Sequence, residues 1–86
     1  MLLSNINEAN KTKFEQLYAK YKSSMLNYAT NTMGSETHSE DIVHEAFIKI
    51  INHIDDVEDI DSEKTKCFIV TIVRNICVDY LANEKK

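Results

Sequence analysis

The chain has 86 residues, one Gly, no Pro and no Trp, with 43% hydrophobic and 28% charged residues. That is one domain at most, with a folding composition and too few turn formers for a sheet protein. The net charge of −4 averages unlike parts, since residues 35–61 net −8 while residues 1–34 and 62–86 each net +2. Different surfaces are therefore expected to meet different partners.

Cys67 and Cys77 fall on one predicted helix, about 15 Å apart along its axis and beyond disulfide reach. Two unbridged thiols fit a reducing compartment. No apolar run approaches the roughly 20 residues of a membrane span, and the N-terminus lacks the layout of a signal peptide. The expectation is a soluble cytoplasmic protein with no membrane partner.

Residues 1–9 show no periodicity and read as a flexible lead-in, leaving residues 10–86 as the domain. From about Lys11 to Met33 the apolar positions are Phe14, Leu17, Tyr18, Tyr21, Met25, Tyr28, Ala29 and Met33. Their three-four spacing predicts one buried helix face. Gly34 follows where a left-handed cap is wanted. Thr37 and Glu40 fit a capping box for a second helix running to about Ile54. Its buried stripe takes Ile42 or Val43, then Ala46, Phe47, Ile50, Ile51 and Ile54. Residues 55–62 are acidic and weakly periodic, predicting an exposed loop with Val57 and Ile60 turned inward. Asp61 or Ser62 then caps a third helix to about Leu81 or Asn83, burying Phe68, Ile69, Ile72, Val73, Ile76 and Tyr80. The fold class is all-α, a compact three-helix bundle, or four helices if a short extra turn is counted.

Catalysis finds no support in these residues. His38, His44, His53, Cys67 and Cys77 lack the close pairings of a zinc site, and Ile48 stands where a zinc-protease motif begun at His44-Glu45 needs its second His. The carboxylates belong to solvated faces, and one Gly cannot build a phosphate cradle. The expectation is a non-enzymatic protein with no cofactor. Asp41, His44, Glu45 and Ile48 share an outer stripe of the second helix, the pattern of a docking face for a basic, partly apolar partner. On the third helix Thr71, Arg74, Asn75, Val78 and Asp79 lie opposite the core stripe. Lys64 and Lys66 stand near its start, and Lys85 and Lys86 lie past its end. Arg and Lys neutralise phosphates, and an Asn amide can read a base edge.

Two segments together resemble a known family. Glu40-Asp41-Ile42-Val43-His44-Glu45-Ala46-Phe47 and Thr71-Ile72-Val73-Arg74-Asn75-Ile76-Cys77-Val78-Asp79-Tyr80-Leu81, in this order and spacing, resemble region 2 of bacterial RNA polymerase sigma factors, closest to the extracytoplasmic-function type. The likeness covers about Phe14 to Lys86. It implies that Asp41, His44, Glu45 and Ile48 dock on the β′ clamp helices of the polymerase core. It also implies that Lys64, Lys66, Arg74, Asn75 and Asp79 bind the non-template strand of the minus-ten promoter element. There the family opens the duplex and holds an extruded base in a pocket of loop and helix. An anti-sigma factor is a further implied partner. The chain departs from the pattern at His44, usually Gln, which implies some pH-sensitivity of docking. It departs again at Phe68, usually Trp, at Ala82, and in the short basic tail of Lys85 and Lys86. The loop at 55–61 is strongly acidic where the family faces DNA. The family's second helical domain would follow a linker beyond Lys86, so the expectation is an excised domain. The acidic loop keeps a second reading open, a sigma-like module that binds only proteins, such as an anti-sigma decoy or a phage regulator.

Overall fold

The structure, a computed structural model, describes residues 8–34 and 38–84. They form three helices, α1 (Glu8–Met33), α2 (Ser39–Asn52) and α3 (Glu63–Glu84), with a short 3-10 turn, Ile54–Asp56, between α2 and α3. Each helix packs on both others, which makes the fold the expected all-α three-helix bundle. The 26 residues of α1 cover about 39 Å at the usual helical rise, and so set the 41 Å long dimension of the molecule.

α1 begins at Glu8, ahead of the expected Lys11, with that carboxylate in its first turn, where the helix dipole favours it. The rest of the expected lead-in, residues 1–7, lies outside the described residues. Leu17, Tyr21, Met25 and Ala29 form the buried stripe of α1. Tyr18 departs from the expected stripe and remains 40% exposed. It sits on the flank towards α2, with its ring 4.8 Å from that of Phe47. Gly34 ends the helix at φ 77°, its N–H donating to the Thr30 carbonyl at 2.9 Å. This is the left-handed cap that glycine adopts without strain. The predicted capping box at Thr37 lies outside the described residues.

α2 buries Ile42 and Val43 together, then Ala46, Phe47, Ile50 and Ile51. It stops at Asn52, two residues before the expected end. The tighter turn that follows spaces Ile54 and Val57 three residues apart, so both enter the core at 3% exposure. Ser62 caps α3 as one of the two expected residues, its Oγ accepting from the Thr65 N–H at 3.2 Å. The buried stripe of α3 is Ile69, Val73, Ile76 and Cys77, with Phe68, Ile72 and Tyr80 packed against it at partial burial. Cys77 was not among the expected core residues. Its thiol is fully buried, and burial pushes its pKa above the ordinary value.

Candidate functional site

The broad apolar stripe of α2 leaves one outer ridge for polar side chains. Asp41, His44 and Glu45 are exposed on it. Glu40 and Asp41 occupy the first turn and Lys49 the last, an arrangement that suits the helix dipole. Ile48 corrects the expectation of a freely exposed apolar residue, because it is half-buried. Between α1 and α2 lies a cavity of about 530 Å³ in which Ile48 joins Phe14, Tyr18 and Phe47 beneath a rim of Lys22, Asp41 and His44. The Phe14 and Phe47 rings meet edge to face at 5.7 Å. Lys22 Nζ lies 4.9 Å from the centre of the Tyr18 ring, within cation–π range.

Phe14 and Tyr18, expected on the buried stripe of α1, therefore line one groove with the outer ridge of α2. The available signal was their position on the flank of the α1 stripe, turned towards the next helix. Glu45 lies outside that groove and faces the end of α3. There the Tyr80 hydroxyl is raised above its ordinary pKa, first by burial and then by Glu45 and Asp41.

Lys64, Lys66, Arg74, Asn75 and Asp79 are all exposed on α3, but they do not form one patch. At 100° per residue Lys64 and Lys66 point about 160–200° apart around the axis. Lys64 shares a cavity of about 610 Å³ with Asp55, Asp56, Glu58, Asp59 and Phe68. Lys66 instead borders the seam with α1 alongside Val70, and Arg74 follows one turn further on. Asn75 and Asp79, one turn apart, lie nearer the Lys64 flank. Lys85 and Lys86 lie outside the described residues.

The acidic loop is built, not loose. Asp59 organises it: its carboxylate accepts from the Asp61 N–H at 2.9 Å, and its carbonyl accepts from Thr65 Oγ1 at 2.6 Å. α1 clasps the outer side. Asn10 donates to Asp55 at 2.7 Å, Lys13 to the Val57 carbonyl at 2.6 Å, and Tyr21 to the Ile60 carbonyl at 2.5 Å. Lys20 pairs with Asp61. Two of the loop's carboxylates are thus partnered by α1, while Glu58 and Asp56 stand exposed on the cavity side. Among the described residues no group of three or more His, Cys, Asp or Glu could hold a metal ion, and no helix is long and apolar enough to cross a membrane.

A family model, Sigma-70 region 2, matches residues 17–86. No curated protein and no solved structure gives a match.

Proposed function

The chain belongs to the Sigma-70 region 2 family, and on that premise we propose that it is a module of the extracytoplasmic-function type that docks on the β′ clamp helices and opens the minus-ten element. Region 2 is a non-enzymatic part of transcription initiation, with RNA polymerase core and promoter DNA as its partners. The finer reading assigns polymerase docking to Asp41, His44, Glu45 and Ile48, and contact with the non-template strand to Lys64, Lys66, Arg74, Asn75 and Asp79. The module comprises residues 10–86 and works in the cytoplasm, where the polymerase is.

One observation carries this reading. The acid ridge of α2 runs beside an apolar groove, so one surface offers both carboxylates and a seat for aliphatic side chains. A helix with a basic edge and an apolar ridge is complementary to it on both counts. A pull-down against the β′ clamp helices tests the assignment. Wild type is expected to bind, and Asp41→Arg with Glu45→Arg to weaken binding at least about tenfold, or 1.4 kcal/mol. No binding by wild type, or binding indifferent to the double change, counts against it.

The second reading, a module that binds proteins only, is favoured by one feature. Four carboxylates line the pocket of loop and helix in which the family would hold a base. Salt-sensitive binding of a single-stranded minus-ten oligonucleotide, weakened by Arg74→Ala, supports the DNA reading. No binding at low salt supports the alternative.

A further inference from the structure

The groove between α1 and α2 leaves large apolar side chains partly bare. Phe14, Leu26 and Ile48 are half-buried along it, and Tyr18 is 40% exposed. Seven residues precede Glu8 in the chain, Met-Leu-Leu-Ser-Asn-Ile-Asn, with four apolar side chains and no charged one. We propose that residues 1–7 fold back along α1 as a strap, seating Leu2, Leu3 and Ile6 over Phe14, Tyr18 and Ile48, and that a docking partner must displace them. The displacement rests on the docking reading above; the strap itself does not.

Reach favours this occupant. Asn10 and Lys13 bond to the loop at Asp55 and Val57, which sets the start of α1 beside the end of α2, where Phe14 and Ile51 line the groove. At the usual helical rise Phe14 lies about 9 Å and Tyr18 about 15 Å along α1 from Glu8. Seven extended residues span about 23–25 Å. A reversal takes up about two or three of them, and the rest cover about 13–18 Å, enough to pass Phe14 and reach Tyr18. Lys22 and Leu26, about 21 and 27 Å from Glu8, stay open at the far end.

Chemistry favours it too. The pocket of the acidic loop sets Asp55, Asp56, Glu58 and Asp59 around Phe68, and an uncharged apolar segment there would desolvate carboxylates without pairing them. A cavity between α1 and α3 begins only at Tyr21, about 20 Å along α1 from Glu8, past the span left after a reversal. A tethered segment meets its site at an effective concentration of about millimolar, so weak apolar contacts suffice to fill the groove for much of the time. The strap hides the apolar seat, while Asp41 and Glu45 stay exposed to steer a basic partner.

Paramagnetic NMR on the full chain tests the strap directly. Ser4→Cys with Cys67→Ser leaves one reactive thiol for a nitroxide, since Cys77 is buried. Signals of Phe14, Ile48 and Ile51 are expected to broaden strongly, and those of Val70 and Val78, exposed on α3, much less. Adding Leu2→Ser, Leu3→Ser and Ile6→Ser is expected to abolish that contrast. In binding to the β′ clamp helices, the triple serine variant without the label is expected to gain about three- to tenfold in affinity over wild type. That is the gain when the wild-type groove is free for about a third to a tenth of the time.

Equal broadening on both flanks, or a contrast that survives the serine changes, overturns the strap whatever the clamp assay shows. Broadening of an isotope-labelled chain by a nitroxide on a second chain overturns it in favour of another copy seated on the groove. Broadening at the groove with clamp affinity unmoved by the serine changes overturns the displacement. Failure of both proteins to bind the clamp helices, with the contrast intact, overturns the docking reading alone and leaves the strap in place.

Discussion

Lys13 on α1 donates its ammonium to the carbonyl oxygen of Val57 at 2.6 Å, a contact between residues 44 positions apart. The same nitrogen lies 3.4 Å from the Ile54 carbonyl, so one side chain serves both ends of the short 3-10 turn. Lys13→Met keeps the aliphatic stem and removes the donor. A hydrogen bond from a charged group contributes about 1.5–3 kcal/mol, and partial exposure brings the expected loss to about 1 kcal/mol. Amide hydrogen exchange is the specific readout: protection is expected to fall across residues 54–62 and to hold within α2. Unchanged exchange in the loop would show that the clasp does not hold it.

Gly34 sits at φ 77° with open space where a Cβ would stand. Gly34→Ala therefore meets no clash, and its cost is backbone strain alone, about 1 kcal/mol. For a domain of this size that corresponds to a fall in melting temperature of roughly 4–8 °C. Gly34→Asn is expected to lose less, because Asn tolerates the left-handed region. Equal melting of the Ala variant and wild type would refute the strain argument.

The two cysteines differ in environment and are expected to differ in reactivity. Cys67 is exposed and Cys77 buried, and burial raises the pKa of Cys77 and so depletes its thiolate, the reactive form. Titration with a thiol reagent in native buffer should modify one cysteine quickly, with the second following only on unfolding. Peptide mapping should place the fast label on Cys67. Rapid labelling of both would mean that the α3 core stripe opens readily.

The acid ridge should act chiefly on encounter. Glu45 is exposed, so Glu45→Gln is expected to lower the association rate with the clamp helices several-fold at low salt. The effect should fade as the Debye length falls below about 8 Å, above physiological ionic strength. Ile48→Ser, which changes the groove and not the charge, is expected to raise the dissociation rate instead. Stopped-flow kinetics across a salt series separates the two, and a salt-independent Glu45→Gln effect would contradict the steering account.

The helices were legible because the stripes of α1 and α2 repeat at three and four residues with few exceptions, and Gly34 marks a stop. Asp41, His44 and Glu45 were equally legible, since local spacing alone turns them away from Phe47 and Ile50. The half-burial of Ile48 was not, because the groove it lines is completed by Phe14 and Tyr18 on another helix, which no local pattern records. The burial of Cys77 was open to the sequence as well, since it lies four positions after Val73 on the core stripe. Lys64 and Lys66 are near in sequence, but two helical steps place them on different flanks. The clasps of Asn10, Lys13, Lys20 and Tyr21 on the acidic loop join residues some 39–45 positions apart, and charge counting shows only that the two segments have opposite sign.

Those clasps also bear on the order of folding events. Contacts across so long a stretch of chain form only after a large entropic loss of closure, so the loop is expected to lock onto α1 late, after the rate-limiting barrier. Lys13→Met should then speed denaturation in urea while leaving the refolding limb of the chevron nearly unchanged.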